Sequence, residues 1–226
     1  MKGRVIGALW IVGALLLSYF GFDGRYFNAL IAFCLLMAMG EIAVIVVGIP
    51  WQMKPLACQP RDAWAWQMMI LCFALLGCAV LTREQLAFAV IVATLTDVGA
   101  FACGMLWGRH RIDGLAEISP KKTLEGFIGG IACSLLALIC CPYLGILLTP
   151  QMSIFLALAG ICAEMGDLLG SATKRQLAIK DSGDGVRHLP LMCWLEFPLH
   201  GHGGYLDRVD SISLVVVLLT IIMMVP

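Results

Sequence analysis

Apolar residues run along this chain in long, nearly unbroken blocks, and the polar residues gather in clusters between them. Blocks of about 17 to 25 apolar residues have the length a helix needs to cross the hydrocarbon core of a bilayer. Seven such spans are predicted, at 5–21, 27–49, 64–81, 85–107, 124–148, 152–170 and 209–225, the first and last being the shortest. The expected fold class is all-α: a polytopic integral membrane protein forming a single membrane domain over 1–226, with N-terminal helices in 1–95.

The positive charges test that count, because lysine and arginine concentrate in loops on the cytoplasmic side. With the N-terminus inside, Lys2, Arg4, Lys54, Arg61, Arg109, Arg111, Lys121, Lys122, Lys174, Arg175, Lys180, Arg187 and Arg208 all fall inside, leaving only Arg25 and Arg83 outside. Merging or losing one helix scrambles this partition. The short loops, 22–26, 82–84 and 149–151, are then external, and the long ones, 50–63, 108–123 and 171–208, are internal. A functional site is expected on the inner face. Loop 50–63, with Trp51, Pro55 and Pro60, reads as an interfacial connector.

Composition agrees. The chain of 226 residues is 61% hydrophobic and 13% charged, with a mean hydropathy of +0.93, which places it among membrane proteins. A formal net charge of zero says little about partners, because the charge is segregated by membrane side. Lys2 and Arg4 precede an apolar run as in a secretory signal, but no small-x-small cleavage pattern precedes Phe22, so an uncleaved first helix is expected. Eight of the ten cysteines lie within predicted spans and no CxxC pair occurs, so packing is expected of them rather than a thiolate metal site.

Against that background the segment GHGGYLDRVDS at 201–211 is anomalous, since so much polar chemistry beside a membrane span is costly unless used. Glu41, Asp97, Glu164 and Asp167 lie inside predicted spans, with no lysine or arginine at comparable depth in any helix. A carboxylate in hydrocarbon costs about 2.5 to 3.5 kcal/mol even on lenient scales, so each must face a protein interior, be protonated or meet a cation. Asp207 and Asp210 share a helix face if the last helix begins by Leu206. Together with Asp167 they offer hard oxygen ligands suited to Mg²⁺ or Mn²⁺. For Asp207 alone a helix cap is the stronger reading.

Lys174, Arg175 and Lys180, with Asp181, place cations beside those acids, the combination a nucleoside triphosphate and its metal require; an ordinary positive-inside loop is the plain alternative. His202, set among glycines, is a phosphate donor, an acid for a leaving group, or part of a turn. His110, His188 and His200 read as loop residues. In SPKKT at 119–123, Ser119, Lys122 and Thr123 suit phosphate at a helix N-terminus, or simple capping together with Glu125. The small-residue patterns Gly126, Gly129, Gly130 and Gly99, Gly104, Gly108 suit close helix packing.

Taken together, SATKRQLAIKDSG at 171–183, GHGGYLDRVDS, GDL at 166–168, SPKKTLEGFIGG at 119–130 and TDVGA at 96–100 with a following G-x-x-x-G-R resemble the integral-membrane phosphatidate cytidylyltransferases. The resemblance covers 96–226, several independent motifs in family order. It implies condensation of CTP with phosphatidate to CDP-diacylglycerol and pyrophosphate, at the cytoplasmic face of a bacterial inner membrane. Asp167, Asp207 and Asp210 are then expected to hold Mg²⁺ or Mn²⁺, with a monovalent cation as a second ion. Lys174, Arg175, Lys180 and Arg208 are expected at the phosphates, with Asp181 and His202 beside them. Ser119, Lys122, Thr123 and Ser171 are expected to seat the nucleotide. CTP, a phospholipid, surrounding lipids and a second copy of the chain are the expected partners, and nucleic acid is not.

Two departures from the family pattern stand out. Seventeen residues, 184–200, separate KDSG from GHGG, and Gly170 stands where an acidic residue usually precedes Ser171. The insertion either forms an interfacial hairpin over a lipid entrance or spoils the site. Alternatives are therefore a CTP-dependent enzyme acting on an isoprenoid or ether lipid, a non-catalytic paralogue, and, from another class, an ion-coupled transporter using the four intramembrane acids.

Overall fold

The computed structural model of the chain describes residues 12–21, 26–48, 62–115, 117–179, 182 and 204–224. Loop residues 50–61, the 184–200 insertion, Lys180, Asp181 and His202 lie outside the described residues. Among those described, the chain is all-helical, with one isolated bridge between Arg111 and Thr123. In order the helices are α1 (12–20), α2 (Phe27–Gly48), α3 (Ala63–Val80), α4 (Arg83–Trp107), α5 (Leu124–Ser134), α6 (Pro150–Gln176) and α7 (Leu206–Met224). A helix therefore stands in each of the seven predicted blocks. Four of them, α2, α3, α4 and α6, are long and apolar enough to cross a membrane. The protein is a polytopic integral membrane protein.

Local chemistry sets several helix ends. At α4, Thr82 Oγ1 accepts from the Gln85 N–H at 3.3 Å and Gln85 Oε1 accepts from the Thr82 N–H at 3.0 Å, a reciprocal capping box. Thr149 caps α6, with Pro150 in the first turn, where its missing N–H costs nothing.

Three boundaries differ from the hydropathy reading. The block 124–148 is not one long helix: α5 ends at Ser134, tightens to a 3-10 helix over Leu135–Cys140 and then turns. Pro142 lacks the N–H that would continue the helix, and Gly145 completes the turn at a φ of +65°, open to glycine at no steric cost. From Leu135 to Leu148 every residue except Pro142 and Gly145 is hydrophobic, so hydropathy alone does not register the break. Helix α6 instead runs well past 170, which places Ser171, Lys174 and Arg175 on a helix rather than in a loop. Its last turn carries Lys174 and Arg175, where cations complement the unpaired carbonyls. Helix α7 begins at Leu206, so Asp207 and Asp210 both belong to it.

Helix α7 packs against α2, α3, α4 and α6. Around it, Leu35, Ile42, Leu71, Leu86, Phe88, Phe155, Leu206 and Leu219 are fully buried. The α4–α5 pair is held by small residues: Gly99 abuts the Cys133 side chain and Gly129 abuts Cys103, with no space for a Cβ at either glycine. The described cysteines are all free, in keeping with a packing role.

Candidate functional site

Between α4, α5 and α6 lies a cavity of about 460 Å³, lined on its polar side by Asp97, Ser119, Lys121, Lys122, Thr123, Glu164 and Asp167, with Phe101 and Met105 among its apolar walls. The loop before α5 builds one wall by folding back on itself. Leu124 N–H donates to the His110 carbonyl at 2.9 Å, Arg111 bridges Thr123, and Lys122 N–H donates to the Ser119 carbonyl at 3.1 Å. Thr123 Oγ1 caps α5 by accepting from the Gly126 N–H at 3.2 Å, so the capping reading of that residue holds.

The fold back sends Lys122 inward. Its Nζ donates to Glu164 Oε2 at 2.6 Å and lies 2.8 Å from Asp167 Oδ2. Of the three outcomes expected for an acid in an apolar span, Glu164 and Asp167 show the third, a cation. A loop lysine supplies it, because its aliphatic stem can cross apolar surface to deliver the ammonium. Burial opposes charge on Lys122, but the carboxylates of Asp167 and Glu164 outweigh it and hold its pKa above the ordinary lysine value.

A second lysine organises the other side. Lys174 forms a short ion pair with Asp207 Oδ1 and stands 3.8 Å from Asp210 Oδ2. Asp207 Oδ2 accepts from Ser182 N–H, Ser182 Oγ–H and Gly204 N–H, each at 3.0 Å. Both oxygens of Asp207 are therefore engaged, one by Lys174 and the other by donors that include the Gly204 N–H just before α7. Asp210 is buried, and its Oδ1 accepts from the Ser211 N–H at 2.9 Å. Its side chain rests against Gly170, where a Cβ would stand 2.7 Å from both Asp210 Cβ and Oδ2. The residue that departs from the family pattern is thus the surface on which Asp210 sits. Ser211 Oγ donates to Asp97 Oδ1 at 3.0 Å and joins α7 to α4.

Asp167, Asp207 and Asp210, expected to share one ion, are split between two lysines. Among the described residues no three Asp, Glu, His or Cys side chains are placed to hold a metal ion. Of the other expected residues, Ser119 and Lys122 line the cavity. Arg175 Nε donates to the Ile118 carbonyl at 3.3 Å and so braces the SPKKT loop. Ser171 is half-buried on α6, and Arg208 lies on the exposed side of the first turn of α7. Lys180, Asp181 and His202 lie outside the described residues.

Three residues belong to this region that the expected site set omitted. Asp97 and Glu164 line the cavity, and the second oxygen of Glu164, Oε1, is buried without a partner. Glu41 reaches the start of α7 from α2. The signal that marks them was present in the sequence: each is an acid in an apolar span, too costly to keep without a use.

Comparison with known proteins bears on what this arrangement serves. The model described as "Cytidylyltransferase family" matches residues 63–225. A phosphatidate cytidylyltransferase of Staphylococcus haemolyticus is 40% identical over 145 residues, covering 62% of this chain and 49% of that protein. Proteins of the same name from Staphylococcus epidermidis and Staphylococcus aureus are 39% and 37% identical over the same coverage. The chain spans about half the length of the curated relatives it matches. No solved structure gives a significant match.

Proposed function

This chain belongs to the cytidylyltransferase family, and on that premise we propose that it transfers the cytidylyl group of CTP to the phosphate of phosphatidate. A phosphatidate oxygen attacks the α-phosphorus of CTP, the bond from that phosphorus to the bridging oxygen of the β-phosphate breaks, and pyrophosphate leaves. The product, CDP-diacylglycerol, stays in the membrane. The attacking oxygen is already ionised, so the reaction needs alignment and charge neutralisation rather than a strong base.

The observation that carries this reading is the convergence of Lys122 and Lys174 with Asp97, Glu164, Asp167, Asp207 and Asp210 where α4, α6, α7 and the SPKKT loop meet. Cations for phosphates and acids for a metal are gathered in one region of a membrane helix bundle, whereas a conduit for ions has no use for phosphate-binding cations. Lys122, in the cavity with Ser119, and Lys174, beside Asp210, are the groups we assign to the phosphates. Arg208 joins them from the exposed side of α7.

A divalent ion fits the donor chemistry. Four carboxylates face two ammoniums, Asp97 meets the Ser211 hydroxyl, and Glu164 Oε1 is a buried oxygen without a partner. Asp97, Asp167 and Asp210 are the residues we assign to Mg²⁺ or Mn²⁺, because Asp207 is already engaged on both oxygens. Bound there, the ion supplies charge neutralisation at the phosphates. The excess of Lys and Arg in the loops assigned to the inner side supports a site facing the cytoplasm, in a bacterial inner membrane.

The test is pyrophosphate release by the purified chain from labelled CTP, with phosphatidate, isoprenoid alcohols and ether lipids offered separately. Release is expected with phosphatidate, and Asp210→Asn is expected to lower it by about a hundredfold or more. Release that needs no lipid, or that is unchanged in Asp210→Asn, overturns the assignment.

A further inference from the structure

Helix α2 lies outside the stretch that the family model matches, yet it places a carboxylate against the element bearing Asp207 and Asp210. Glu41 is fully buried. Its Oε1 accepts from the Tyr205 N–H at 2.7 Å and its Oε2 from the Leu206 N–H at 3.0 Å. These are among the first N–H groups of α7, which have no partner within the helix and, buried as Tyr205 and Leu206 are, need one from elsewhere in the protein. The preceding N–H, from Gly204, goes to Asp207. Two carboxylates, one from α7 itself and one from a helix more than 160 positions earlier, thus share three successive N–H groups.

The arrangement leaves little slack. A Cβ on Gly204 would lie 2.5 Å from Glu41 Oε1 and 2.6 Å from Oε2, and would also run into Ser182 Oγ. Ser182 is itself held by Asp207 through both its N–H and its hydroxyl. Backbone, glycine and two acids therefore fix the phase at which α7 enters, and that phase decides where Asp210, three residues after Asp207, projects. Negative charge at the positive end of α7 adds to the hold.

From this we infer that Glu41 is a positioning residue: it sets the register of the α7 entrance and, through it, the placement of Asp207 and Asp210. Its role is to hold the helix start and not to touch the reacting atoms. The kinetic consequence rests on the proposed cytidylyl transfer, whereas the structural consequence does not.

Two readouts separate these. Hydrogen–deuterium exchange of peptides covering 204–211 in the full chain, in detergent, reads the entrance directly. In Glu41→Gln one acceptor is kept and the other becomes a donor facing an N–H, so exchange there is expected to quicken while the middle of α7, at 213–219, is unchanged. In the same variant kcat for pyrophosphate release is expected to fall about ten- to a hundredfold, the scale on which a small misplacement of a working group acts, with KM for CTP within about twofold. Gly204→Ala, which crowds the Glu41 carboxylate from the other side, is expected to reproduce both effects.

Unchanged exchange at 204–211 in Glu41→Gln overturns the inference, whatever the activity. Faster exchange with unchanged kcat also overturns it, because the helix start would then not govern the site. If the wild-type chain releases no pyrophosphate under any condition, the proposed function fails, and exchange in the two variants alone decides whether Glu41 holds the entrance.

Discussion

Replacing Lys122 with methionine isolates the electrostatics of the cavity, because methionine keeps much of the stem and removes the charge. Lys122 has 17% of its side chain exposed and pairs with Glu164, whose side chain is 2% exposed, and with Asp167, which is 35% exposed. The two partners do not lose equally. Asp167 can be solvated, so its share is that of a surface pair, at most about 1 kcal/mol. Glu164 cannot, and leaving one member of a buried pair uncompensated costs about 3 to 5 kcal/mol. The expected destabilisation of Lys122→Met is therefore about 3 to 5 kcal/mol, carried mainly by Glu164, with protonation of Glu164 as its ceiling.

The assay is unfolding in mixed micelles followed by tryptophan fluorescence, run as a double-mutant cycle with Glu164→Gln. The double variant is expected to regain most of the loss, since a neutral amide in place of Glu164 no longer needs the ammonium. A loss below about 1 kcal/mol in the single variant, or no recovery in the double, refutes the buried pair as the source. The pH dependence follows from the sign of the shift. With the Lys122 pKa raised in the folded chain, its contribution is complete below the ordinary lysine value and is lost only as pH rises through the higher folded one. The stability gap between wild type and Lys122→Met is therefore expected to persist at about pH 9 and to close only in stronger alkali.

Asp207→Asn keeps acceptors for Gly204 and Ser182 but removes the charge facing Lys174, which retains Asp210 at 3.8 Å. A loss of about 1 to 3 kcal/mol is expected by the same unfolding assay, and a larger one for Asp207→Ala, which also abandons three N–H and O–H donors. Equal losses in the two variants count against the capping role. Gly170→Ala drives a methyl group into Asp210, and is expected to cut pyrophosphate release at least about tenfold, whereas Gly114→Ala, with open space around its Cα, leaves it unchanged. Full activity in Gly170→Ala shows that the seat of Asp210 does not matter.

The helical class and the blocks that become helices were legible because lipid leaves a backbone few ways to satisfy itself, and long apolar runs record that directly. The break after Ser134 was not, since it depends on Pro142 and a left-handed Gly145 inside a block that hydropathy treats as uniform. The extension of α6 to Gln176 was missed for the opposite reason. Lysine and arginine suggest a loop by composition, but they are good helix formers and sit well at a helix C-terminus. At the site, residue types were legible and partners were not. Asp167, Asp207 and Asp210 stood out as acids in the wrong solvent, but which charge each one meets depends on how a loop folds back, and no spacing encodes that. Lys122 lies 42 positions from Glu164, and Lys174 lies 33 from Asp207.

Those two lysines explain how an acidic region persists among membrane helices. A buried anion survives only if something neutralises it, and otherwise takes up a proton instead. Lys122 enters from the loop before α5 and serves Glu164 and Asp167; Lys174 enters from the end of α6 and serves Asp207 and Asp210. Asp97, on α4, has the Ser211 hydroxyl. Each partner comes from a different element, so none of these acids is matched by a cation in its own helix, and the ion pairs form only once α6, α7 and the loop before α5 have packed. The polar groups therefore do more than await a ligand. They make correct assembly of the bundle the condition under which Glu164, Asp167, Asp207 and Asp210 meet their cations, and Asp210, with Lys174 at 3.8 Å and a glycine beside it, has the longest of those pairs.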